Sequence, residues 1–403
     1  MNLSYYKENA WWVSPFNETG PVREQTQPAG HVEIHDATLR DGEQTPGVVF
    51  SAEDKVRIAE KLVEAGVTRI EAGMPAVSAE DRRAITEIAR RFPQAQVYAF
   101  ARAKTEDIDM ARDAGVKGVV IEIPIGYPKL KYQFGWTWEH VLEKSVDCIN
   151  YARSQGLKAV YFPYDTTRAR AEDLEKLLTG LMQSAPPDSV GVVDTMGCAL
   201  PQAVAYLVRE VKRLTNGLPV EVHTHNDFGL AVAGELAGIA AGADVVHTCV
   251  NGLGERTGNA ALEEMILCMN ILLEMDTPYR LDRLGELCAL VEKLSGVAAA
   301  PNKPFVGARN YMRESGIGVD LVRSCPLAMF ATDPALFGRS GEIALGKKSG
   351  KASIQYYLER CGMTATDEQA AEMLARVKAR GLEKRGLLDE AEFREIAAAC
   401  LGA

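Results

Sequence analysis

The sequence predicts a (β/α)8 TIM barrel followed by a smaller, mostly helical C-terminal domain. Eight short Val- and Ile-rich runs alternate with amphipathic helical stretches between residues 32 and 280, the pattern of a closed parallel sheet wrapped by helices. Residues that carry chemistry gather where these runs end. Beyond residue 281 the alternation stops and helical periodicity frames a Gly- and Pro-rich middle.

Residues 1–30 read as an irregular arm, polar and broken by Pro15, Pro21 and Pro28. Its aromatic residues Tyr5, Tyr6, Trp11, Trp12 and Phe16 suit an anchor on the body or on a partner subunit. The expected strands are VEIHD (32–36), TRIEAG (68–73), QVYAFA (96–101), GVVIEIP (118–124), KAVYF (158–162), SVGVVD (189–194), VEVHTH (220–225) and DVVHTCV (244–250). Each is short and β-branched, as a strand buried on both faces should be. Several of the stretches between them open on Ser, Thr or Asp and several close on Gly, which are helix cap signals. An open doubly wound sheet is the competing architecture, but no G-x-G-x-x-G fingerprint follows the first strand. The division expected is an arm (1–30), a barrel (31–280) and a helical lid or dimerisation domain (281–403).

Composition narrows the function. The chain has 403 residues and a formal charge of -10, so it offers no basic stripe for nucleic acid. Eight scattered cysteines form no C-x-x-C pair, which excludes a zinc ribbon and suits buried thiols in a reducing compartment. The N-terminus lacks the basic and apolar regions of a signal peptide, and no apolar stretch reaches the roughly 18 residues of a membrane span. A cytoplasmic protein is expected.

Barrel enzymes carry their catalytic groups at the C-terminal ends of the strands. Here the first strand runs into Asp36-Ala-Thr-Leu-Arg40-Asp41-Gly-Glu43-Gln44, the seventh ends in His223-Thr-His225-Asn-Asp227, and Asn251 to Asn259 follow the eighth. Positions i and i+2 of a strand share a face, so His223 and His225 both point to the barrel axis. Two imidazoles with the Asp41 carboxylate make a facial set for a divalent cation (Mg2+, Mn2+ or Zn2+) with positions left open for substrate. Two satisfied core histidines are the alternative. Arg40 is placed to stabilise a developing enolate or alkoxide, or else to pair with Glu71 or Glu255. Asn259 is placed to add an oxygen ligand or to orient the site, and Asp227 to support the histidines.

Together these segments resemble the DRE-TIM metallolyases, the group of homocitrate, isopropylmalate and citramalate synthases and hydroxymethylglutaryl-CoA lyase. The family's D-x-T-L-R-D-G-E-Q is matched at 36–44, its H-x-H-N-D at 223–227 and its G-E-R-T-G-N-A at 254–260. Weaker similarity continues through ESGIGVD (314–320) and LGKKSGKASI (345–354). The resemblance implies a metal held by Asp41, His223 and His225 with Asn259 nearby, and a 2-oxo acid chelated to it beside Arg40. It implies a catalytic role for Glu43 of the signature loop and a substrate-binding one for Gln44. Thr195 matches a position near the substrate carboxylate, and Arg102, after the third strand, is another candidate for that carboxylate. The implied activity is a Claisen-type condensation of an acyl-CoA, acetyl-CoA first among them, with a 2-oxo acid. The implied assembly is a homodimer. The lyase branch carries a cysteine in the loop after the eighth strand; NGLGERTGNA has none.

Three departures set this chain apart. The family's C-terminal H-x-S-G-I-H reads Arg313-Glu314-Ser-Gly-Ile-Gly318, without either histidine. Its F-S-x-E-D-x-T-R reads Phe162-Pro-Tyr164-Asp-Thr-Thr-Arg168 after Tyr161. Lys129 stands where synthases more often have a histidine or another polar residue. An acceptor other than 2-oxoglutarate or 2-oxoisovalerate follows as an expectation, with Lys129, Arg168 and Arg313 as candidate readers of an extra anionic group. Tyr164, Tyr311 and Glu314 are the candidates for proton transfer. A lyase or aldolase, and a non-catalytic metabolite-binding barrel, are the competing functions.

Overall fold

The computed structural model of the chain describes residues 4–28 and 30–402. It divides into two compact units, Phe16–Ala298 and Met1–Pro15 with Ala299–Ala403. Within the first unit, eight parallel strands close a barrel: β1 (Glu33–Asp36), β2 (Arg69–Glu71), β3 (Gln96–Arg102), β4 (Gly118–Pro124), β5 (Lys158–Tyr164), β6 (Ser189–Asp194), β7 (Val220–Thr224) and β8 (Val245–Thr248). Every predicted strand is present, and β8 pairs with β1 to complete the ring, with His247 opposite His35. That closure puts the end of β1 two strands from β7, so Asp41 and the two histidines share one side of the mouth.

Helices form where their caps predict them. Ser51 and Ser78 each accept the backbone N–H three residues on, opening the helices Ala52–Glu64 and Ala79–Arg91. Their buried faces carry Val56, Ile58 and Leu62 in the first and Ile85 and Ile88 in the second. The barrel interior is layered by Tyr98, Phe100, Val120, Val160, Phe162 and Val193. Arg69, His35, Glu221 and His247 are buried within the same interior.

The unit boundaries differ from the expected ones in two places. Helix Leu281–Ser295, expected in the C-terminal domain, packs on Ala52–Glu64 within the barrel unit. Its apolar face of Leu284, Leu287, Cys288 and Val291 is buried, and Arg280 N–H bonds to Ala65 C=O at 2.9 Å. The predicted arm is also divided and only partly irregular. Tyr6–Lys7 pairs with Trp11–Trp12 in a hairpin, and Trp12 N–H bonds to Ala331 C=O at 2.9 Å, so this part joins the C-terminal residues. Helix Gly20–Thr26, started by Pro21, stays with the barrel unit. Residues 1–3 and 29 of the arm lie outside the described residues.

The second unit has its own core of Leu345, Ile354, Met373, Val377 and Phe393, built mainly from helices Lys351–Cys361, Asp367–Lys384 and Glu390–Leu401. The cysteines are all free, as expected, but Cys198 and Cys325 are exposed. Among the described residues no helix is long and apolar enough to cross a membrane.

Candidate active site

The loop after β1 is held rigid before it presents anything. Asp36 accepts the Thr38 N–H and hydroxyl at 3.0 Å each, and the Thr38 hydroxyl accepts Val250 N–H at 2.8 Å. Lys55 is buried, and its ammonium meets Leu39 C=O at 3.1 Å, Glu43 at 2.6 Å and Asp81 at 2.6 Å. Glu43 also accepts Phe50 N–H at 2.8 Å. Its carboxylate is therefore engaged in bracing the turn that carries Arg40 and Asp41, the neighbours it was grouped with as a catalytic candidate.

Asp41, His223 and His225 converge. His223 Nε2 lies 3.1 Å and His225 Nε2 3.6 Å from Asp41 Oδ2, with all three side chains buried. One donor atom from each falls within 4.8 Å of the others. Metal–ligand bonds of about 2.1 Å place neighbouring ligand atoms about 3 Å apart, so the set fits a cation with little adjustment. Asn259 bridges to His225 across a β-contact; its amide donates to Leu253 C=O at 2.9 Å and its Oδ1 is buried without a partner among the described residues. An additional oxygen ligand has that form. The Nδ1 atoms of both histidines have no acceptor among the described residues, so their rings are oriented by packing, His223 against His225 at 5.3 Å and Phe162 at 5.9 Å. Asp227 is not behind them: it binds Arg256 at 2.9 Å. Burial pushes the Asp41 carboxyl up, but Arg40 and the two imidazoles outweigh it and hold it well below the usual carboxylate range. Burial holds His225 down at about 4, so it stays neutral, as a ligand must.

Arg40 is positioned from three sides. Its Nε donates to Glu71 at 2.9 Å, one Nη lies 3.3 Å from Gln44 Oε1 and 3.6 Å from Asp41, and the guanidinium sits 4.3 Å over the Phe100 ring. The other Nη has no partner among the described residues. The pairing with Glu71 and the location beside Asp41 therefore hold together; the two sequence readings of Arg40 are compatible. Burial raises Glu71, and Arg40 more than reverses this, to about 2.

Below this layer lies a network that the sequence reading missed. Arg69 donates to His35 Nδ1 at 2.9 Å and to Glu221 at 2.6 Å, and Glu221 meets His247 at 2.8 Å. His35 stacks on His247 at 4.2 Å and lies 3.5 Å from Glu71. These groups supply a second cluster of metal-binding residue types. They are joined by hydrogen bonds through one nitrogen of each ring, and the Arg69 charge opposes a cation there. The signal was present: Glu221 precedes His223 by two residues, so it had to point inward. Burial holds His35 neutral by lowering its pKa. An unfolded histidine takes up a proton below about pH 6.5, and the folded one does so only at lower pH. Stability is thus complete above that value and falls as pH drops through the window below it. Denaturant midpoints measured between pH 7 and 5 should fall, and His35→Gln, which keeps an acceptor for Arg69, should flatten the slope. An unchanged slope would show that His35 does not titrate in this way.

The remaining candidates separate. Thr195 closes the end of β6, its hydroxyl accepting Asp165 N–H at 2.8 Å. Lys129 opens the turn Lys129–Phe134 after β4 and has no ion-pair partner among the described residues. Arg102 and Arg168 are each committed to a carboxylate through two hydrogen bonds, Asp107 at 2.8 and 2.9 Å and Asp165 at 2.8 Å. Neither guanidinium is free in the way the sequence suggested. Tyr164 ends β5 half-buried, and burial followed by Glu122 pushes its phenol far above the range of a base. Tyr311, Arg313 and Glu314 belong to the second unit. Tyr311 bonds to Thr332 at 2.7 Å and is pushed up to about 12 by burial, Arg313 donates to Ile317 C=O at 3.1 Å, and Glu314 accepts Lys348 N–H at 3.0 Å.

Comparison with known proteins shows the family. Residues 31–291 match the HMGL-like family, and residues 305–385 match the homocitrate synthase post-HMGL domain-like family. Homocitrate synthase AksA of Methanocaldococcus jannaschii is 38% identical over 98% of this chain and 96% of its own length. The 2-isopropylmalate synthase of the same organism is 37% identical over 89% of this chain and 70% of its own. Among solved structures, hydroxymethylglutaryl-CoA lyase from Pseudomonas aeruginosa superposes with a TM-score of 0.59 at 21% identity, over 68% of this chain and 95% of that one, which shows a shared fold. The chain belongs to the HMGL-like family, and relatives matched over most of its length are named as synthases of homocitrate and 2-isopropylmalate.

Proposed function

We propose that the protein is a metal-dependent Claisen-type synthase that condenses an acyl-CoA, acetyl-CoA first among the donors, with a 2-oxo acid. The observation that carries this reading is the convergence of Asp41, His223 and His225 beside an Arg40 that keeps one nitrogen free. A divalent cation bound there supplies Lewis acidity and a template for the 2-oxo acid. Arg40, fixed by Glu71 and Gln44, donates to the acceptor's carbonyl oxygen as negative charge develops, at no cost of reorganisation. The Thr195 hydroxyl accepts from the backbone and so points its own proton outward, toward the substrate carboxylate. Helices of the second unit complete a homodimer, as the resemblance implies. Tyr164 and Tyr311 are too weakly acidic to serve as bases, and Glu314 is held by Lys348.

Release of free CoA thiol from acetyl-CoA, measured against a panel of 2-oxo acids with added Mg2+, Mn2+ or Zn2+, tests the proposal. Thiol release that requires both a 2-oxo acid and a metal is expected. Cleavage of a hydroxy acid without thiol release by any acceptor would replace condensation with the lyase reading.

A further inference from the structure

Helix Ala231–Ala240, which follows β7, carries one charged residue, Glu235, and that residue is buried. Gly238 has no room for a Cβ against Val222, so the helix sits close on its strand. A helix apolar on all sides belongs in a core, yet the outer face of this one is covered only in part. Leu236, Ala237 and Ala240 are half-buried and line a groove of about 440 Å³ on the outside of the barrel. Helix Pro201–Leu214, which follows β6, adds Ala205 and Arg209 to the lining, and helix Gly20–Thr26 adds Val22. All of these residues belong to the barrel unit.

The protein's own side chains do not fill this groove. Alanines stand at 205, 237 and 240, where larger residues would close the helix pair to the usual interior density. Helix Gly20–Thr26 lies across it with no buried residue, held by the exposed pair Arg23–Glu274 at 2.7 Å, a weak tie. Val22 and Leu272, both in the lining, stay 37% and 41% exposed. Charge indicates the occupant. No lining residue is acidic, in a chain with 55 acidic residues. Arg209 makes no hydrogen bond or ion pair among the described residues. Its neighbours three and four positions away are Ala205, Tyr206, Lys212 and Arg213, and the adjacent Glu210 is taken by Arg213. No lining side chain is aromatic, so nothing there stacks on a ring. We propose that the groove is a binding site for a small aliphatic monocarboxylic acid, its chain laid along Leu236 and Leu272 and its carboxylate on Arg209. The volume suits a chain of roughly eight carbons. An ammonium group would meet the guanidinium with no carboxylate beside it, so amino acids are excluded.

The test is calorimetric titration of the full-length protein with octanoate, octanol and octylamine, with hydrogen exchange followed across residues 20–26. Octanoate should bind. Octanol should bind about 10-fold more weakly, for want of the charge-assisted bond to Arg209, and octylamine not at all. Arg209→Gln should bring octanoate and octanol level. Val22→Trp, a change on an exposed helix that leaves the barrel core untouched, should block both. Octanoate should slow exchange across residues 20–26, which it would pin to the barrel. The variant with alanine at both His223 and His225 should bind octanoate as the wild type does, because the groove owes nothing to the metal centre. Failure of the metal-centred reading therefore leaves this proposal standing. Equal binding of octanoate and octanol by the wild type would overturn it. So would binding that is lost with the two histidines, which would place the acid at the barrel mouth, or binding that survives Val22→Trp. No binding at millimolar octanoate would also end it. If sedimentation shows that Val22→Trp converts a dimer to a monomer, a second copy covers the groove and the proposal falls.

Discussion

Replacing both His223 and His225 with alanine should abolish turnover by at least ~1,000-fold while the barrel stays folded. The estimate follows from a Lewis acid contributing several kcal/mol to the transition state, with each 1.4 kcal/mol worth a factor of ten. Metal content by mass spectrometry should drop from one equivalent per chain to none, and exhaustive chelation of the wild type should reproduce the loss. Asp41→Asn is the complementary change. It preserves shape and removes the charge that draws the two Nε2 atoms to 3.1 and 3.6 Å, so metal affinity should fall with little change in melting temperature. Full activity after chelation, or in the double alanine variant, would end the metal-centred account of this site.

The second large effect concerns Arg40. Lysine in its place keeps a positive charge, but its compact ammonium lacks the planar fork that reaches Glu71 and Gln44 from separate nitrogens and projects a third away from both. Arg40→Lys should therefore lower kcat about 100- to 1,000-fold, the loss typical of one preorganised oxyanion donor, with a small change in KM. Arg40→Met should in addition destabilise the fold by about 3–5 kcal/mol, because it strands the buried Glu71 carboxylate. The double change Arg40→Met with Glu71→Gln separates the two roles: stability should recover and activity should not. Recovery of both would show that Arg40 serves only as Glu71's partner.

Much of the fold was legible because both-face-buried strands and capped helices are local signals. Eight apolar runs were enough to place eight strands, and the i, i+2 rule was enough to aim His223 and His225 at Asp41. The His35–Arg69–Glu221–His247 network was equally inward by the same rule. It was passed over because a lone charged residue in an apolar strand reads as unremarkable until its neighbours in the ring are known. The placement of helix Leu281–Ser295 was misread for a related reason: its periodicity shows an apolar stripe but not the surface that covers it.

By itself the sequence determined the barrel, the order of its strands and the gathering of Asp41, His223 and His225 at its mouth, since these depend on periodicity and on spacing within single segments. Only the tertiary structure decided which charged groups are already spent. Glu43 is held by Lys55, Arg102 by Asp107 and Arg168 by Asp165, while one arm of Arg40 has no hydrogen-bond partner among the described residues. The physical reason is that a charge is neutralised by whatever lies within a few ångströms, and those partners come from strands and helices far apart in the chain.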